Sequence, residues 1–164
     1  MKTLIIFLSL IFVLPNFTEA QSLNQYRWKS RLILLFTPSP SDPLFERQVK
    51  LLYEQMDAFT ERNMIFMMIT PDGKFENTGR FLKEATAHKF YQDFGVERYQ
   101  FEMIMVGLDG YEKFRSINRI TPTSVLLNLI DGMPMRKREL MQGYTTKSTS
   151  NGYINTTAGQ RRNF

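Results

Sequence analysis

Apolar residues fall along this chain in two rhythms. Unbroken runs stand at Arg31–Phe36 (RLILLF), 64–70 (MIFMMIT) and 101–106 (FEMIMV). Short runs without polar alternation predict strands covered on both faces. Between the first two runs, Phe45, Val49, Leu52, Met56 and Phe59 recur at spacings of three and four, which predicts one amphipathic helix. Asp42 stands where its N-cap belongs, and Pro43 at its first position. Pro71, Asp72 and Gly73 make a turn after the second strand. A polar stretch with Asn77, Thr78 and Gly79 leads into a helix predicted over 82–94. Its core face is Ala87, Phe90, Tyr91 and Phe94, with Gly95 as the cap. Leu108, Asp109 and Gly110 reverse the chain into YEKFRSI, predicted to pair with the third strand as a hairpin. Thr121 and Pro122 open a last helix with Val125, Leu126, Leu129, Ile130 and Met133 inward.

The order strand, helix, strand, helix, hairpin, helix implies two right-handed crossovers feeding a mixed sheet. The fold class is therefore α/β: a thioredoxin-like three-layer sandwich, a mixed four-stranded sheet with helices on both faces.

The two ends of the chain differ from this pattern. Lys2 precedes an apolar run from Leu4 to Leu14, and Thr18 and Ala20 occupy the small-residue positions of a cleavage site. Residues 1–20 are read as a secretory signal peptide. The run is too short for a membrane-spanning helix, which needs ~20 residues. From residue 142 to 164 the chain is rich in Thr, Ser, Asn and Gly and is expected to be a polar, disordered or loosely docked tail. The domain proper is 21–141. Lys2 and Glu19 cancel, so the mature chain keeps the formal charge of +5. That charge permits contact with anionic polymers without demanding it. The expected location is periplasmic or extracellular, with no stable membrane anchor once the signal is removed.

The chain has no cysteine. Small exported domains often rely on disulfides, so this one must rest on its own core. Three segments carry a resemblance: YRWKSRLILLFTPSPSDP, MVGLDGYEKFRS and LLNLIDGMPMRKRE. They resemble a bacterial family known as domain of unknown function 4174, itself similar to the thioredoxin-like modules of sushi-repeat extracellular proteins of animals. The resemblance implies fold and export, and no activity to carry over. Redox-active thioredoxins hold a cysteine pair where this chain has Thr37 to Asp42. They also place a cis-proline before the third strand, where it has Val96, Glu97, Arg98, Tyr99 and Gln100. Pro122 opens a helix and is no substitute. Without a thiolate, disulfide exchange and thiol peroxidase chemistry are excluded for this chain acting alone.

The remaining candidates each admit two accounts. Thr37, Ser39 and Ser41 lie at a strand-to-helix junction, where backbone N–H groups receive small anions; alternatively the hydroxyls and Asp42 simply cap the helix. His88 is the single histidine, so a general-base scheme would need it, yet it faces away from the Phe90 and Phe94 stripe. Ten methionines suit Cu(I) by ligand type, but five of them lie on predicted buried strands, where methionine fills gaps. No metal-ligand spacing is present, and no metal or cofactor is expected. Arg136, Lys137 and Arg138 are three consecutive bases at the end of the last helix, either complementing its dipole or contacting an anion or partner. Tyr26 and Trp28 either anchor the start of the first strand or stack on sugars. No nucleic-acid motif is present.

The expected function is that of an exported, non-catalytic binding or structural module of the cell envelope. Its partner would be an envelope or extracellular protein or an anionic polymer, met at Arg136, Lys137, Arg138 or at Ser39 and Ser41. The alternatives are an enzyme using Ser39 or Ser41 with a carboxylate or His88, and a basic adhesion module for anionic polymers.

Overall fold

The computed structural model describes residues 23–73 and 84–142. The signal peptide read at 1–20, the polar stretch at 77–79, the first residues of the second predicted helix and the tail from 143 lie outside them.

A 3-10 turn (Leu23–Tyr26) leads into β1 (Arg31–Phe36), α1 (Pro43–Glu54), α2 (Met56–Glu61) and β2 (Met64–Ile69). There follow α3 (Glu84–Asp93), β3 (Glu102–Val106), β4 (Glu112–Ile117), α4 (Thr123–Gly132) and α5 (Pro134–Met141). The sheet order is β2-β1-β3-β4. β1 runs parallel to β2, with Arg31 opposite Met64, and antiparallel to β3, with Leu32 opposite Val106 and Phe36 opposite Glu102. This register places the start of β1 and the β3–β4 turn at one end of the sheet. The loop after β1 lies at the other end, with the start of β3.

Side-chain alternation divides the core into two layers. Ile33, Leu35, Phe66, Met68, Met103 and Met105 face Phe45, Leu52, Phe59, Leu126 and Ile130 of α1, α2 and α4. Leu32, Leu34, Phe36, Met67, Ile69, Ile104 and Val106 face Ala87, Phe90 and Tyr91 of α3. The predicted three-layer sandwich is thus the observed one.

Two helices break where the periodicity ran through. The stripe from Phe45 to Phe59 is split at Gln55 (φ −117°, ψ 26°), and α2 sets the Phe59 ring edge-on to Phe66 at 5.2 Å. The last predicted helix is two helices. Met133 is extended (ψ 138°) because the proline after it disfavours helical backbone at the preceding residue, and Pro134 then opens α5. Val125 and Leu129, expected inward, are exposed, while Leu126 and Ile130 are buried. Gln48, buried on α1, accepts from the Thr121 N–H at 2.7 Å and donates to the Thr121 carbonyl at 3.0 Å, sealing the start of α4. Among the described residues, no helix is long and apolar enough to cross a membrane.

Candidate functional site

The loop that follows β1 is closed on itself. The Thr37 N–H donates to the Ile69 carbonyl at 3.0 Å, and its hydroxyl donates to the Ser39 carbonyl at 2.6 Å. Ser39 Oγ and Ser41 Oγ lie 2.9 Å apart, and Ser39 Oγ also receives the Ser41 N–H. Asp42 Oδ1 accepts from the N–H groups of Leu44 and Phe45, each at 2.9 Å. These are donors that a helix start leaves open, so the carboxylate both fills the anion position and repels a second anion. The Tyr91 hydroxyl donates from α3 to the carbonyls of Thr37 and Ile69, each at 3.3 Å. Burial pushes its phenol well above the ordinary range, against a smaller lowering by Arg98. The structure therefore brings Ser39 and Ser41 together, with each other rather than a base as hydroxyl partner. His88 is exposed on α3.

The three consecutive bases do not form one patch. Arg136 is 2% exposed and points into the protein. Its Nη2 lies 2.7 Å from Glu61 Oε1, and its Nε 3.5 Å from Asp131 Oδ1. Arg31, 0% exposed, joins the same cluster, with Nη2 2.8 Å from Glu139 Oε1 and Nη1 donating to the Arg62 carbonyl at 2.8 Å. Arg62 grips Asp131 with two hydrogen bonds of 2.9 and 2.7 Å. That grip holds the Asp131 carboxyl below the usual carboxylate range despite some burial, and holds the Arg62 guanidinium above its own. Three cations and three anions thus fasten α5 and the end of α4 to the start of β1 and the end of α2. Of the predicted triplet only Lys137 and Arg138 are exposed. A helix of eight residues starting at Pro134, rather than a helix end, carries all three.

At the other end of β3, buried Glu102 pairs with Arg115 of β4, whose guanidinium also bonds Glu112 and the Phe94 carbonyl. The bond to Glu112, outweighing desolvation, and the charge of Glu102 raise the Arg115 pKa. The strand methionines 64, 67, 68, 103 and 105 are buried in the two core layers. Among the described residues, no group of three or more His, Cys, Asp or Glu is placed to hold a metal.

The aromatics before β1 part company. Tyr26 is half-buried against the α3 layer, whereas Trp28, expected to anchor the strand, is 60% exposed. Its backbone N–H donates to the Leu108 carbonyl at 2.7 Å, and the residue takes the left-handed region at φ 64°. The Arg27 guanidinium lies 5.4 Å from the Trp28 ring and 5.8 Å from that of Tyr111, itself 64% exposed. Tyr111 had no distinguishing signal in the sequence, because what makes it notable is a neighbour more than eighty residues away.

Similar proteins agree with this architecture. The rat Sushi repeat-containing protein SRPX is 27% identical over 129 residues, covering 76% of this chain and 27% of its own length. The human one is 26% identical over 139 residues, covering 82% of this chain and 29% of its own. The chain thus spans under a third of the curated relatives it matches. Among solved structures, the reduced 2-Cys peroxiredoxin of Plasmodium vivax superposes with a TM-score of 0.55 at 17% identity, over 71% of this chain and 84% of that one. Thioredoxin peroxidase I of Plasmodium yoelii gives 0.55 at 16%, over 85% and 87%. At such identities the likeness shows the thioredoxin-like fold. Residues 22–139 match the family described as "Domain of unknown function (DUF4174)", and the chain belongs to that family.

Proposed function

We propose that this protein is an exported thioredoxin-like domain that binds rather than catalyses, a module of the cell envelope or extracellular space. One observation carries the reading: at the junction where redox-active relatives of the fold keep their cysteines, residues 37–42 satisfy their own hydroxyls and cap their own helix. A nucleophilic serine needs a base within hydrogen-bond reach, and the Ser39 and Ser41 hydroxyls face each other instead. Export is supported by the leader-like pattern at 1–20. A modular role is supported by the matching stretch being a minor part of the longer Sushi repeat-containing proteins.

The test is a turnover screen of the purified protein with hydrogen peroxide plus dithiothreitol and with a panel of activated esters. The expected result is no rate above the blank. A rate that disappears in Ser39→Ala or Ser41→Ala, at unchanged melting temperature, overturns the reading in favour of an enzyme.

A further inference from the structure

The end of the sheet opposite the loop at 37–42 carries an exposed aromatic surface. Trp28 and Tyr111 are two large aromatic rings left in solvent, brought to one end of the sheet from the segment before β1 and the β3–β4 turn, 5.4 and 5.8 Å from the Arg27 guanidinium. Arg27 lies between them, within cation–π distance of both, and its aliphatic stem packs 3.5 Å from where a Cβ on Gly110 would stand. Gly110, at φ 81°, leaves that space open. Lys113 sits 5.9 Å from the Tyr111 ring but is committed to Asp109, 2.7 Å away. Arg27 has no ion pair among the described residues.

Trp28 is the feature hardest to explain by folding alone. Left-handed backbone is unfavourable for a bulky residue, and strain of that kind gathers at functional positions. The backbone turn is held by the Trp28 N–H on the Leu108 carbonyl at 2.7 Å and by the Lys29 and Ser30 N–H groups on the Tyr26 carbonyl, but none of these bonds calls for an aromatic side chain, and the ring is 60% exposed. Two exposed aromatic rings sharing one arginine offer an amphipathic surface of the kind recognition sites use. Aromatic rings stack on the C–H faces of pyranose sugars, and an unpaired guanidinium recognises carboxylate or sulfate. The chain's charge of +5 permits an anionic polymer, and the Arg27 guanidinium between the rings is what favours one over a neutral glycan.

We propose that Arg27, Trp28 and Tyr111 form a binding site for an acidic polysaccharide, with sugar rings on the two aromatics and an acidic substituent on Arg27. This rests on the binding-module reading and supplies its ligand class. A nucleic acid also offers stacking rings and negative charge, but an exported domain meets acidic glycans first.

Trp28 is the single tryptophan of the chain, so intrinsic fluorescence reports directly from the site. The full mature chain is titrated with hyaluronan oligosaccharides, with uncharged dextran oligosaccharides of equal length, and with poly(U). We expect a saturable change with hyaluronan that weakens as salt rises. Arg27→Ala and Tyr111→Ala should each weaken it at least tenfold at unchanged melting temperature, while a Lys137→Ala, Arg138→Ala double variant leaves it as it was. The proposal is overturned if hyaluronan gives no saturable change, if dextran binds as well, if poly(U) binds more tightly, or if the variants bind like the parent. None of these failures creates an enzymatic rate, so the non-catalytic reading stands or falls separately.

Discussion

Removing Glu139 is the most informative perturbation of this protein's stability. Its carboxylate is the ion-pair partner of Arg31, 2.8 Å away, and the Arg31 side chain is 0% exposed. Glu139→Ala leaves that guanidinium buried with the Arg62 carbonyl as its remaining acceptor. Arg136 loses a contact of 3.5 Å but keeps Glu61 at 2.7 Å, so the cost falls on Arg31. Orphaning one member of a buried pair costs about 3–5 kcal/mol. Against a total stability of ~5–15 kcal/mol, that is a large share. With a urea m-value of ~2 kcal/mol/M, a loss of about 4 kcal/mol moves the midpoint down by about 2 M.

The asymmetry of the pair sharpens the expectation. Arg31→Met removes the buried charge and fills its volume, and the Glu139 side chain, 14% exposed, can take up water and the Arg136 contact. It should cost less than Glu139→Ala, because an apolar side chain in place of a buried ion is often neutral. The double variant should therefore recover most of what Glu139→Ala loses, a coupling of about 1–3 kcal/mol in a double-mutant cycle. Lys137→Ala and Arg138→Ala, on the exposed side of α5, should stay within about 0.5 kcal/mol of the parent. If Glu139→Ala shifts the urea midpoint no more than these two, the cluster is an ordinary surface salt bridge and the argument fails.

Three further outcomes follow from the same geometry. Asp42→Ala removes the acceptor of two N–H groups at the start of α1 and should cost about 1 kcal/mol by chemical denaturation, and a neutral result would mean water caps the helix equally well. The Asp131 carboxyl is held low by Arg62 in the folded protein, so its stabilisation is present above the unfolded value of ~3.9 and lost as pH falls through the lower folded value. The stability gap between parent and Asp131→Asn should hold from pH 7 to about 5 and shrink steadily as pH falls below the unfolded value of ~3.9; a gap that does not change with pH across that range refutes the ion-pair account. Trp28→Gly relieves a left-handed backbone worth ~1–2 kcal/mol and adds a glycine entropy of ~0.5–1 kcal/mol, so the variant should unfold no earlier than the parent, and a loss above about 1 kcal/mol would show that the ring is structural.

The legible part of this fold was the part written in apolar periodicity. Unbroken runs at β1, β2 and β3 and the Asp42–Pro43 start of α1 translate into structure because each depends on local pattern. The break at Met133 was legible too, since the residue before a proline resists helical backbone, but the apolar spacing through Ile130 and Met133 masked it. Arg136 illustrates the opposite limit. Three bases in a row look alike in sequence, and only Glu61, Asp131 and Glu139, drawn in from three helices, decide that the first is buried and the next two are not. The Arg27, Trp28 and Tyr111 cluster was half visible: Trp28 stood out, while its exposure depends on a hairpin that closes far along the chain.

Strain and satisfaction point to opposite ends of the sheet. The loop after β1 has its hydroxyls paired, its helix capped and its Thr37 carbonyl received by Tyr91, so little free energy is left there for a ligand to collect. The end at the start of β1 holds a tryptophan in an unfavourable backbone region, two aromatic rings in water and an arginine without a counter-ion among the described residues. Of these, the rings are apolar surface that a stacked sugar would take out of water, and the solvated guanidinium is a donor fork that a sugar carboxylate would meet. The buried ion cluster under α5 lies at this same end and fixes the start of β1 from beneath through Arg31. It follows that Glu139→Ala, by loosening the strand start that carries Arg27 and Trp28, should weaken hyaluronan binding even though Glu139 is no part of that surface. Lys137→Ala, two residues away on the outer side of the same helix, should not.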